Sequence, residues 1–170
     1  MTQEQQYEVV KKFDGYELRQ YAPCVLAQVA VTGEFESAGS RGFGPLIAFI
    51  SGRNNLGSKV AMTAPVIQHP RGDEHVVSFV MPSTYSRNDL PDPSDKNVSL
   101  NSVSAELVAV VRFSGRWTKQ TYFAKLGMLL DCLNRDGLTQ NGEARFARFD
   151  PPWTPWFMRR NEIQVPVRYS

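Results

Sequence analysis

Val25-Leu-Ala-Gln-Val-Ala-Val-Thr-Gly-Glu-Phe35 lies over Leu107-Val-Ala-Val-Val-Arg-Phe-Ser-Gly-Arg-Trp117 without a gap. Each copy is an apolar, β-branched run that ends in Thr/Ser-Gly and an aromatic residue. Such composition suits a central strand, and the glycine suits its end. After each copy the hydrophobic period changes from two to that of a helix. Phe43, Leu46, Ile47 and Ile50 stand at i, i+3, i+4 and i+7. In the second half Tyr122, Phe123, Leu126, Leu129, Leu130 and Leu133 make the matching stripe, with Thr118 placed to cap it and Gly137 to stop it. Gly39, Gly42, Gly44 and Pro45 weaken the first helix, so the sequence predicts regular helix only after Pro45. Two strands follow each helix, and Met81-Pro82 is echoed by Val165-Pro166. A duplicated strand-helix-strand-strand unit (βαββ) that buries its face against its twin implies an α+β fold with antiparallel strands and two helices. The repeats are expected over roughly residues 7–90 and 97–170 of a single domain. Two strands, 7–13 and 16–21, precede the first copy and are joined at Asp14-Gly15.

The chain of 170 residues can bury a core without disulfides, and its two cysteines, Cys24 and Cys132, are expected to be packed thiols. A net charge of +2 with no basic run longer than two gives nucleic acid no footprint. No apolar run is long enough for a membrane span and no signal peptide opens the chain. A cytoplasmic monomer is expected. No nucleotide-binding glycine motif, EF-hand or nucleophilic triad emerges, and no catalytic residue is assigned.

Phe149-Asp-Pro-Pro-Trp-Thr-Pro-Trp-Phe-Met-Arg-Arg-Asn-Glu-Ile163 is the most unusual stretch. Its prolines exclude a helix interior or central strand, so it reads as a stiff loop that holds Trp153 and Trp156. Alternation beyond it puts Arg160 and Glu162 on one face and Arg159 on the other, with a structural ion pair as the leading reading. His69 and His75 flank a turn. If that turn closes a hairpin they face each other as weak metal or axial ligands.

Val60-Ala-Met-Thr-Ala-Pro-Val66, Phe79-Val-Met-Pro82, Pro93-Ser-Asp-Lys96 with Val98, Asp150-Pro-Pro, Pro155 and Arg159-Arg-Asn-Glu-Ile163 occur in order over nearly the whole chain. Together they resemble the SOUL / heme-binding protein family, related to gyrase-inhibitor-like effector-binding domains. The resemblance implies a duplicated fold whose eight antiparallel strands form a distorted barrel or sheet flanked by two helices. It also implies non-covalent binding of heme or another tetrapyrrole in an apolar cleft between the first helix and the C-terminal Pro/Trp loop. Of three basic positions it places against the propionates, Arg41 is retained, while Phe49 and Thr154 stand at the other two. Phe43, Phe49, Met62, Trp153, Trp156 and Met158 are the expected apolar contacts. Two alternatives remain: a pocket for another amphipathic ligand, and a hydrolase that uses a pocket carboxylate such as Glu162.

Overall fold

The computed structural model describes residues 3–170. In chain order the strands are β1 (Gln3–Glu4), β2 (Tyr7–Phe13), β3 (Tyr16–Tyr21), β4 (Cys24–Thr32), β5 (Thr63–Ala64), β6 (Val66–Arg71), β7 (Glu74–Val80), β8 (Ser99–Val103), β9 (Glu106–Phe113), β10 (Leu138–Gln140), β11 (Arg145–Arg148) and β12 (Asn161–Tyr169). Helix α1 spans Phe35–Ile50 and α2 spans Lys119–Asp136. The fold is α+β, as expected. The chain forms two compact units, residues 3–6 with 23–104 and residues 7–22 with 105–170.

In the first unit β4, β6, β7 and β8 make an open antiparallel sheet in the order β6-β7-β4-β8. A short parallel pair, β1 with β5, forms a separate two-stranded sheet. Val25, Ala27 and Val29 of β4 and Val77 and Phe79 of β7 face Leu46, Phe49 and Ile50 of α1 across one buried cluster. Helix α1 is continuous through Pro45, where irregular structure was expected before that residue. Burial explains the difference: Phe35, Ala38, Gly39 and Gly42 are all buried, so packing outweighs the low intrinsic propensity of the segment. Gly42 is needed for close approach, because a Cβ there would stand 2.5 Å from Val77 Cγ2. Beyond the helix, buried Asn54 holds the turn. Its amide nitrogen donates to the carbonyls of Phe49 and Ser58, and its oxygen accepts from the Leu56 and Ser58 amides. The long segment after β7 lends Leu90 and Val98 to the core, which fixes it against the sheet.

In the second unit the order is β2-β3-β9-β12-β11, with β10 on β12. Thr118 caps α2 by accepting from the Thr121 amide, and Gly137 ends it in the left-handed region at φ 74°. Tyr122, Leu129 and Leu133 are buried, and the Tyr122 ring meets Phe146 edge-on at 5.6 Å. The N-terminal hairpin is tied to the end of α2. Tyr16 OH donates to Asp136 at 2.9 Å, and Arg135 donates to the Asp14 carbonyl at 2.9 Å.

Both units share one pairing order. The strand before the helix pairs with the last strand, β4 with β7 and β9 with β12. That last strand also pairs with the one before it, β6 with β7 and β11 with β12. The flanking strands do not follow the 7–90 and 97–170 division. β3 pairs with β9 in the second unit, and β8 pairs with β4 in the first. Each unit's sheet is open, not a closed barrel.

Gly42→Ala tests the close approach of α1. Alanine improves helix propensity, yet overpacking against Val77 should lower stability by roughly 1–3 kcal/mol. Urea denaturation should show this loss, and a double-mutant cycle with Val77→Ala should show favourable coupling. A neutral or stabilising Gly42→Ala refutes the contact.

Candidate functional site

Arg41 projects from α1 with its guanidinium over Gly33, where a Cβ would meet Nη1. Its one hydrogen bond among the described residues is from Nη2 to Thr32 Oγ1, at 3.4 Å. The Thr-Gly that ends β4 therefore seats the arginine, leaving it exposed and without a carboxylate partner among the described residues. Phe43 is 37% exposed and meets Phe79 edge-on at 5.4 Å. Phe49 belongs to the core at 1% exposure, and Met62 packs partly buried against the same cluster.

One turn beyond Arg41 the outer face of α1 carries only small side chains. An open hollow of about 490 Å³ lies there, lined by Gly44, Pro45, Ala48, Phe49, Arg53, Ser94 and Asp95. That volume is in the range of ligand clefts. Phe49 is thus shared by the core and the lining of the hollow. Arg53 at the rim was not singled out from the sequence; its place just past a helix end, beside the Pro93-Ser94-Asp95 segment, is apparent only once the loop is folded. Ser94 N donates to the Arg53 carbonyl at 3.1 Å and holds that segment in place.

In the second unit the Pro/Trp stretch is irregular, as expected, with one 3-10 turn over Trp156–Met158. Trp153 is 83% exposed, and Trp156, Phe157 and Met158 are exposed as well. Arg159 donates from Nε to the Thr154 carbonyl at 2.9 Å and from Nη2 to the Pro152 carbonyl at 2.8 Å. Its guanidinium also lies 4.2 Å over the Trp117 ring, and that of Arg148 lies 4.8 Å from the same ring. Burial and then the charge of Arg159 push Arg148 down to about 10.

Glu162 is fully enclosed in the second unit. It accepts two hydrogen bonds from Arg19, at 2.9 and 3.1 Å, one from Arg160 at 3.2 Å and one from Gln164 at 2.9 Å. Arg19 also donates to Tyr21 OH at 2.8 Å. Gln164 in turn accepts from Arg145, which stands 3.3 Å from Glu106. Burial opposes the charge on Arg19, but the Glu162 carboxylate outweighs it and holds the guanidinium protonated. The expected pairing of Arg160 with Glu162 is present, while Arg159 turns to the loop carbonyls. Arg19 as the principal partner was missed, because a charged residue in a six-residue strand reads as an exposed position. A carboxylate so fully paired has no free lone pair to act as a base, so the hydrolase alternative loses its candidate.

His69 and His75 do lie on one hairpin, but the register opposes His69 to Val76 and His75 to Pro70. The two imidazoles therefore project from opposite faces of the sheet and cannot share an ion. Among the described residues no group of three or more His, Cys, Asp or Glu side chains gathers as a metal site, and no helix is long and apolar enough to cross a membrane.

The sequence profile of the SOUL heme-binding protein family matches residues 2–166. Heme-binding protein 1 of Xenopus laevis is 26% identical over 156 residues, covering 87% of this chain and 81% of the relative. Heme-binding protein 2 of Mus musculus is 26% identical over 166 residues, covering 88% and 80%. Among solved structures, the EcmrR C-terminal domain superposes with a TM-score of 0.70 at 12% identity, covering 96% of this chain and 99% of that one. A hydrolase from Listeria innocua superposes with a TM-score of 0.61 at 9% identity, covering 94% of each chain. At such identities the structural likeness extends to the fold alone.

Two measurements test the second unit. Glu162→Ala removes the principal partner of the buried Arg19 charge, leaving only the Glu17 carboxylate at 3.5 Å, and should cost roughly 3–5 kcal/mol in urea denaturation, whereas Arg19→Met combined with Glu162→Leu should cost less than the sum of the single changes. Burial, aided by Glu143, pushes the Tyr122 hydroxyl up to about 12. The unfolded chain, with tyrosines near 10, then releases this proton first, so stability falls as pH rises from about 10 to 12. Tyr122→Phe should flatten that fall; an unchanged alkaline slope contradicts the assignment.

Proposed function

The chain belongs to the SOUL heme-binding protein family, and on that premise we propose that it binds heme or another planar, amphipathic tetrapyrrole on the outer face of α1. The observation that carries this reading is the open hollow beside Phe49. Gly44, Pro45 and Ala48 supply a flat floor without protruding side chains, so a rigid ring system can lie along the helix. Arg53 stands at one end. Arg41 lies about 10 Å along the axis from Ala48 by helical rise, on the same face. Two guanidiniums, one on this helical face and one just past the helix end, suit an apolar plate with acidic groups on its edge, because each offers a forked, charge-assisted contact to a carboxylate. Phe43 adds an exposed aromatic edge on the adjoining face. The Trp153 and Trp156 indoles, expected from the sequence to meet the same ligand, take no part in this reading.

None of the hollow's lining side chains is a histidine, cysteine or methionine. The ligand is then held by its ring and its carboxylates, and iron contributes little. A metal-free amphipathic carboxylate of similar size is the alternative that this lining supports.

Titration of the protein with hemin and with protoporphyrin IX should give saturable, stoichiometric changes in absorbance, with dissociation constants within severalfold of each other. Arg53→Glu and Arg41→Glu should each weaken both ligands by about tenfold or more, the scale of a hydrogen bond to a charged group. A linear, unsaturable response to both removes the reading. Tight hemin binding with no response to protoporphyrin IX would show that iron is ligated and that the α1 hollow is not the site.

A further inference from the structure

We propose that the loop of residues 150–159 is a docking element for an anionic lipid bilayer, independent of the tetrapyrrole reading. Its tip presents Trp153, Trp156, Phe157 and Met158 to solvent within six consecutive positions, at 83%, 46%, 62% and 66% exposure. A folded chain ordinarily turns such side chains inward, since each loses favourable burial by standing in water. This exposure is held in place by the loop's own bonds. The Thr154 amide donates to the Pro151 carbonyl at 3.1 Å, and the Met158 amide donates to the Pro155 carbonyl at 2.9 Å. Arg159 clamps the carbonyls of Pro152 and Thr154 and rests on Trp117, whose indole nitrogen donates to Asn161 at 2.6 Å. Asp150 accepts from the Arg160 amide and closes the base. The apolar tip is therefore preorganised, and three prolines prevent it from collapsing into a strand.

Charge identifies the occupant. The segment from Leu107 to Leu130 holds Arg112, Arg116, Lys119 and Lys125 and no acidic residue, in a chain whose net charge is only +2. Arg116 lies 5.0 Å over the Trp156 ring, and Lys119 lies 6.0 Å from the ring of Phe123, itself 53% exposed. Of the nearby carboxylates, Asp150 is engaged with the Arg160 amide and Glu162 is fully buried. Aromatic and thioether side chains with cations beside them match a bilayer surface. Indole rings settle at the headgroup level, and Lys and Arg meet anionic lipid.

The test is flotation of the full chain with phosphatidylcholine vesicles, with and without phosphatidylserine. Binding is expected only with phosphatidylserine and should fall as salt rises. Brominated lipid should quench the tryptophan fluorescence. Trp153→Ser combined with Phe157→Ser should abolish flotation, and Arg116→Gln combined with Lys119→Gln should lower the partition coefficient by about thirtyfold. All four substituted side chains are exposed, and circular dichroism and the urea midpoint check that each variant folds. Equal flotation with both vesicle types, no flotation, or flotation that survives the variants overturns the proposal. So does a dimer in sedimentation velocity that Trp153→Ser dissociates, since a second copy would then be what covers the loop.

Discussion

The buried pair of Arg19 and Glu162 is the constraint on which the second unit depends. Glu162 is enclosed completely and Arg19 almost so, and removing two charges from water costs several kcal/mol per ion unless their bonding is saturated. The bonds that offset this cost here come from side chains of several strands: Arg19 and Tyr21 of β3, Glu162 and Gln164 of β12, and Arg145 of β11. These groups meet only when β3 lies beside β9 and β9 beside β12 in the observed register. A slip of one residue would turn Arg19 to the face of the sheet that packs on α2. Replacing a buried ion pair with apolar residues of the same volume is often neutral or stabilising. We take its contribution to be selection of one register, with the N-terminal hairpin completing the sheet of the C-terminal half.

The first unit meets the same packing problem by other means. Its core is apolar, and α1 approaches β7 closely because Gly42 leaves room for Val77. Two of the residues that weaken α1 as a helix, Gly44 and Pro45, have a second effect, which Ala48 shares. Gly44, Pro45 and Ala48 leave its outer face smooth, and the segment around Ser94, tied down by the Arg53 carbonyl, walls the hollow on one side. Low helix propensity and the smooth outer face thus share Gly44 and Pro45 as a cause, and core burial on the opposite face keeps the helix intact.

The Pro/Trp loop shows how position alters the meaning of a residue. Trp117 and Trp153 are the same side chain in one unit. Trp117 is half-buried, stacked by two guanidiniums and hydrogen-bonded to Asn161, and so belongs to the scaffold. Trp153 is held out in water by a clamped backbone. Arg159 links them, since it rests on the first while bonding the carbonyls beside the second.

The sequence by itself determined the element types and the family. Period-two apolar runs, helical stripes, the Thr118 cap and the Gly137 stop are local signals, and each acts within a few residues. The ordered proline and arginine motifs carried the resemblance, and the match between Val25–Phe35 and Leu107–Trp117 placed a strand before each helix. Only the tertiary structure decided which strands complete each sheet, that Arg19 is the partner of Glu162 across 143 positions, that the two histidines face apart, and that Arg53 borders a hollow. Propensity and periodicity report which face of an element is buried. They carry no information on what lies opposite, and an enclosed charge or a ligand surface is defined by its neighbours in space.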